Sequence, residues 1–310
     1  MIKTFRAAGT DIEVIHPPDM SQAVWIDVVN PTPEEVRQVA EAVDVPSDDI
    51  MDSLDPDERP RFEFEDEYFL LMLRLPASQA QSAEPYLTTP VGFFVRKERL
   101  VTVHSDMVDL ITYFRGRRRK RIVESSFEVL VAILGSTERR FSAMIRSIQR
   151  QLAEFRSTIL KSMRTEAVED AFELNNQLIF LSGSVYGNLN SIRQMVHHRG
   201  VAFPNELTER LEDIEIDTRQ HYEMISMYRG LLTNTLDAYT SAISNNLNLV
   251  LKIIASLSLI LMLPTLIASL YGMNVGLPLQ DTEYAFWVIV VISIIWSGAL
   301  WAVFRKLDWI

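Results

Sequence analysis

Hydrophobic and polar positions fall into three patterns along the chain. Over residues 1–104 the apolar residues come in short, partly alternating runs rich in Val, Ile and aromatics, the pattern of strands with a buried face. Two such runs, 11–16 and 23–29, are bounded by Pro17-Pro18 and Asn30-Pro31. Thr32, followed by Pro33 and by Glu34 and Glu35, predicts a capped helix running to about Val43. Ser47 and the acidic residues after it predict a short helix over 47–54. Beyond Pro60, the segments 61–65, 68–75, 87–96 and 100–104 predict further strands, with a polar turn over 79–85. Together these elements predict a mixed sheet flanked by helices.

The second pattern begins near Ser125. Residues 125–199 contain no proline and place apolar residues at three-and-four spacing, as in Ile145, Ile148, Leu152, Phe155 and Ile159. A break is expected at Arg199-Gly200, after which Pro204-Asn205-Glu206 starts another long helix with no proline until Pro264. Its polar part would extend about 65 Å at 1.5 Å per residue. A lone helix of that length would expose its apolar stripe, so it needs neighbours. The preceding helix, running antiparallel, and the same helix of other subunits are the expected ones.

The third pattern is continuous apolarity. Residues 253–280 carry no charge, and 253–270 would span about 27 Å as a helix, close to the hydrocarbon thickness of a bilayer. A second uncharged stretch, 285–304, follows after a short polar loop. The pair predicts a transmembrane hairpin. The loop 272–284 has no Lys or Arg, whereas Lys252 precedes the first span and Arg305 and Lys306 follow the second. Basic residues favour the cytoplasmic side, so both termini are expected in the cytoplasm, with Trp287, Trp301 and Trp309 at the interfaces. The division expected is 1–122 α/β domain, 123–248 helical stalk, 249–271 first span, 272–284 outer loop, 285–304 second span and 305–310 tail.

Composition narrows the chemistry. The 310 residues include no cysteine, which excludes disulfides and thiolate metal sites. The formal net charge of −11 argues against nucleic acid as main partner and leaves cations open. The run from Arg115 to Arg121 is basic, and in an acidic chain it reads as a solvated helix end or linker. His104, Ser105 and Asp106 are consecutive at a strand end and cannot assemble a triad, so His104 is expected to be structural. His197 and His198 point about 100° apart on a helix and cannot chelate one ion, which favours a positional role. Glu209, Asp213 and Asp217 share one helix face. Their mutual repulsion calls for solvent or a divalent cation, and spacing alone leaves both open. There is no Gly-rich phosphate loop and no assembled nucleophile, base and orienter, so an enzyme is not expected. A membrane-tethered sensor or scaffold is the other class compatible with long helices.

Several motifs occur in order: Trp25-Ile26-Asp27, Asn30-Pro31-Thr32-Pro33-Glu34-Glu35, Pro60-Arg61-Phe62-Glu63, Pro264-Thr265, Tyr271-Gly272-Met273-Asn274 and the closing Arg305-Lys306-Leu307-Asp308-Trp309. This set resembles the CorA family of magnesium and divalent-cation transporters across essentially the whole chain. The resemblance implies a funnel-shaped homopentamer in the cell membrane, with a cytoplasmic α/β domain, long stalk helices and two C-terminal transmembrane helices per subunit. It implies that Asn274, with Tyr271, Gly272 and Met273, forms the selectivity filter. Asn248, Leu251, Ile254, Met262 and Thr265 would line the pore, Asp237 the inner mouth, and Asp213 would help hold regulatory Mg2+ between subunits. Mg2+ would be both cargo and regulatory ligand. The basic tail is sparser than the family's usual collar. The outer loop 275–280 lacks an early acidic residue, with Asp281 and Glu283 coming later. It also resembles the loop of the related ZntB zinc transporters, so Zn2+, Co2+ and Ni2+ remain alternative ions.

Overall fold

The computed structural model describes residues 1–65, 68–77, 88–116, 122–159, 166–278 and 282–309. The polar turn 79–85, residues 117–121 of the basic run, and Gln280 and Asp281 of the outer loop lie outside them. The chain divides into two compact units, Met1–Asn234 and Thr235–Ile310.

The first unit is built on a seven-stranded mixed sheet. Its strands are β1 (Ile2–Ala8), β2 (Asp11–Val14), β3 (Trp25–Val29), β4 (Arg61–Phe64), β5 (Tyr68–Pro76), β6 (Thr88–Arg96) and β7 (Arg99–His104), in spatial order β2-β1-β3-β7-β6-β5-β4. Only β3 and β7 pair in parallel. Sequence patterning misses β1, because Lys3, Thr4 and Arg6 interrupt its large apolar residues Ile2 and Phe5, the second of which stacks on Trp25 at 4.8 Å.

The pleat sends alternate residues to opposite faces, and both faces are covered. Leu70, Met72, Phe94, Val101 and Val103 pack with α1 (Pro33–Val43) and α2 (Ser47–Asp52). Phe69, Leu71, Leu73, Phe93 and Trp25 pack with α3 (Leu110–Arg115), α4 (Ser126–Ile159) and the ends of α5 (Glu166–Val196) and α6 (Asn205–Tyr271) nearest the sheet. Near-continuous apolar runs in β5 and β6 follow from this double burial. Helix α1 starts as expected. The Thr32 hydroxyl accepts from the Glu35 N–H, the Glu35 carboxylate accepts from the Thr32 N–H, and Pro33 opens the first turn. α2 has no side-chain cap, so Ser47 is its first helical residue and not its N-cap. α3 is an element the residue pattern does not announce; Asp109 caps it by accepting from Ile111 and Thr112.

The proline-free region 125–199 is two helices, α4 and α5. The stripe Ile145, Ile148, Leu152, Phe155 and Ile159 is buried throughout. α6 runs antiparallel to α5, since the Tyr186 and Tyr222 rings meet at 5.1 Å while His197 meets Glu215 at 3.1 Å. It is tied to α4 through His221, whose Nδ1 bonds Glu138 at 2.8 Å and whose Nε2 bonds the Ser142 hydroxyl at 2.7 Å. Burial pushes the Glu138 carboxyl above its ordinary value, with His221 and Thr218 holding part of the shift back.

The second unit holds the rest of α6 and α7 (Ala285–Lys306). Both are long and apolar enough to cross a membrane, and almost none of either apolar window is buried in protein. A core helix of a soluble protein would be covered, so these two have lipid or further protein as their natural solvent. α7 outlasts its apolar stretch by Arg305 and Lys306, whose charges suit a helix C-terminus. The chain then hooks back: Asp308 takes a left-handed conformation and Trp309 stacks on Phe304 at 5.6 Å.

Candidate functional site

Tyr271-Gly272-Met273-Asn274 stands at the point where α6 ends. The Gly272 N–H still reaches the Ala268 carbonyl at 3.0 Å, and the Met273 N–H tightens to the Leu270 carbonyl at 3.3 Å, after which the chain turns. The Tyr271 hydroxyl donates to the Pro278 carbonyl at 3.3 Å and ties the turn to the helix end. Asn274 is exposed and its backbone is not left-handed. An Asn just past a helix is commonly a left-handed cap, and that role is excluded here. The amide is left available at a place where the last α6 carbonyls gather partial negative charge, a setting that favours cations.

Asp237, Asn248, Leu251, Ile254, Met262 and Thr265 fall within an arc of about 120° at 100° per residue. Leu251, Ile254 and Met262 are each more than half exposed, and Asn248, Thr265 and Asp237 are exposed too. The opposite side of α6 is the one that meets α7. There Ile260 accepts a hydrogen bond from Ser297, and Pro264, Ala268 and Tyr271 line a cleft of about 960 Å³ with Ile289, Ser293 and their neighbours. The expected pore-facing residues therefore share a face that α7 leaves open. Thr265 spends its hydroxyl hydrogen on the Leu261 carbonyl at 2.8 Å, leaving oxygen lone pairs to face outward.

In the first unit Glu209, Asp213 and Asp217 are exposed on α6. No group of three or more His, Asp or Glu among the described residues is placed to hold a metal ion. One chain brings Asp213 to the surface without ligands to share. His197 and His198 diverge as their spacing requires: the first bonds Glu215, and the second lies between Phe62 and Phe64 at 5.5 and 4.5 Å.

His104 is structural. Its Nδ1 donates to the Ser105 carbonyl at 2.6 Å, and its Nε2 lies 2.9 Å from Asp27 Oδ1, which also accepts from Thr102 at 2.7 Å. Trp25 Nε1 donates in turn to Thr102 at 2.9 Å. β3 and β7 are in parallel register with Asp27 opposite Thr102, which puts all four side chains on one sheet face. A carbonyl and a carboxylate can only accept, so these partners assign a proton to each ring nitrogen. Burial is the largest influence and favours the neutral ring. The Asp27 hydrogen bond and charge, with the Ser105 carbonyl, outweigh it and raise the His104 pKa above 6.5.

Residue reasoning missed Ser297. A proline inside a helix announces a freed carbonyl four residues back, but nothing in the order of residues says which side chain meets it.

The CorA-like Mg2+ transporter protein family matches residues 20–306. Among curated relatives, the cobalt/magnesium transport protein CorA of Methanocaldococcus jannaschii is 26% identical over 296 residues, covering 93% of this chain and 91% of that protein. Its counterpart in Thermotoga maritima is 21% identical over 310 residues, covering 97% and 88%. The complete structure of the CorA magnesium transporter from M. jannaschii superposes with a TM-score of 0.86 at 23% identity, covering 100% of this chain and 99% of that one. The cytoplasmic domain of ZntB from Vibrio parahaemolyticus gives 0.63 at 15% identity, covering 78% and 98%. An α/β domain, a long helix and two C-terminal apolar helices thus share one fold with a solved CorA. With the family spanning all but the chain's ends, the protein belongs to the CorA-like Mg2+ transporters.

Proposed function

We propose that the chain admits Mg2+ to the cell as a homopentamer, with both termini in the cytoplasm. The observation that carries this reading is the exposed, uncapped Asn274 at the end of an apolar helix whose face away from α7 is open. Five copies of that face around an axis would form a pore lined by Asn248, Leu251, Ile254, Met262 and Thr265, with Asp237 at the inner mouth. The named relatives are magnesium or cobalt/magnesium transport proteins, which favours the same ion class.

The chemistry suits Mg2+ as cargo. Mg2+ dehydrates reluctantly and demands octahedral oxygen geometry. A ring of Asn274 amides, with the Gly272 carbonyls beside it and Tyr271 and Met273 framing the turn, can hydrogen-bond the hydrated ion without stripping it. A ring of carboxylates would bind more tightly and release more slowly. Leu251, Ile254 and Met262 form an apolar constriction that stops a hydrated ion by dewetting. A divalent cation gains about 4.6 kcal/mol across 100 mV, so the membrane potential suffices as the driving force. Asp213 carboxylates, bridged between subunits by Mg2+, hold the closed state until internal Mg2+ falls.

The test is flux into liposomes under an imposed potential, with Mg2+, Zn2+, Co2+ and Ni2+ in competition. Mg2+ uptake is expected from the unmodified protein, and Asn274→Ala should abolish it while the pentamer persists on size analysis. Normal uptake by Asn274→Ala rejects the filter; preferred uptake of Zn2+ reassigns the cargo.

A further inference from the structure

Pro264 lies inside α6, about two turns before Tyr271. A proline has no N–H for the carbonyl four residues back, so the Ile260 carbonyl loses its intrahelical donor. Water would fill that vacancy on a surface helix. Hydrocarbon offers nothing, and an unpaired carbonyl there is costly. The Ser297 hydroxyl on α7 donates to this carbonyl at 3.3 Å. Two hydroxyls of α6 turn to their own helix: Ser256 bonds the Lys252 carbonyl at 2.7 Å and Thr265 the Leu261 carbonyl at 2.8 Å. Ser297 instead reaches across to the carbonyl that Pro264 has freed.

We propose that Ser297 is a positioning residue for ion passage, latching α7 to the proline break of α6. The latch lies at the root of the segment 264–271, which carries the Tyr271–Asn274 turn. Beyond it the two helices open into the apolar cleft of about 960 Å³, lined by Pro264 and Ala268 on one side and Ile289 and Ser293 on the other. The terminal turns of α6 therefore have a hinge and room to swing toward α7. The Ser297 bond fixes where they point, and with them the amide of Asn274. This inference rests on the transport reading above.

A mutant cycle on the full-length protein tests it. Ser297→Ala should lower Mg2+ uptake by liposomes about threefold or more, the scale of a hydrogen bond between membrane helices. Ser297→Thr keeps the donor and should stay within about twofold of the unmodified protein. Pro264→Ala returns an N–H to the Ile260 carbonyl, so adding Ser297→Ala to it should change uptake by less than about twofold. Thermal unfolding in detergent, read on the same four proteins, should show the same non-additivity. Equal effects of Ser297→Ala in both backgrounds, in uptake and in unfolding, would overturn the latch and leave Ser297 a packing residue. Absence of uptake by the unmodified protein would overturn the transport reading instead, while the unfolding cycle still decides whether the latch exists.

Discussion

The pairing of His104 with Asp27 shows how much one buried residue depends on its partner. Both side chains are all but inaccessible to solvent, and each would be costly to bury charged alone. Because the folded-state pKa of His104 lies above its ordinary 6.5, folding takes up a proton near neutrality. The resulting stabilisation is fully present below pH 6.5 and is lost as pH rises through the folded value. Denaturant unfolding of the detergent-solubilised chain should therefore show stability falling as pH rises above 6.5, with proton uptake on folding. Asp27→Asn should remove that slope and cost about 3–5 kcal/mol, the range for breaking a buried pair. A pH profile unchanged by Asp27→Asn would mean that the ring is neutral in the fold. Trp25-Ile26-Asp27 could be picked out from residue order as a family feature. Its partner 77 residues later could not, since only strand register brings β7 beside β3.

Among the elements, α5 does more than cover the sheet. β4 pairs with β5 only as far as Met72, so the backbone of Arg74 extends past the end of its neighbour. Asn188 on α5 takes the place of the missing strand: its Oδ1 accepts from the Arg74 N–H at 2.9 Å and its Nδ2 donates to the Arg74 carbonyl at 2.8 Å. Opposite Arg74 on the other side stands Pro90, which has no N–H to offer. Asn188→Ala would leave two half-buried backbone groups without their amide partner and should cost about 2–3 kcal/mol, measurable as a lower denaturant midpoint with an unchanged slope. Asn188→Asp keeps the acceptor and loses the donor, so it should fall between the two. An alanine variant as stable as the parent would show that water replaces the amide. Helix periodicity predicts a helix through residue 188 but gives its asparagine no role. The reason for it appears only once β4 is seen to stop short.

At the scale of the whole molecule, one chain leaves much of its apolar surface uncovered by protein. Both apolar spans are exposed along most of their length, and Asp213 reaches the surface with no metal-binding cluster among the described residues of its own chain. If neighbouring copies complete that site, Asp213→Lys should raise the internal Mg2+ concentration needed to inhibit uptake by about fivefold or more, with maximal uptake retained. Inhibition unchanged by the charge reversal would remove Asp213 from regulation. Much of this architecture could be read from residue order, because strand alternation, the Thr32 capping box and the two uncharged spans are set by local periodicity and by solvent preference. Those forces act over a few residues, and they announced most of the sheet strands, though not β1, and the long and apolar helices. Tertiary structure alone decided what depends on distant parts of the chain meeting: Asp27 with His104, Asn188 with the free edge of β5, Ser297 with the carbonyl that Pro264 releases. Each of these is a polar group whose need is local and whose answer lies tens of residues away, and pairwise order along a chain carries no record of which donor will reach which acceptor.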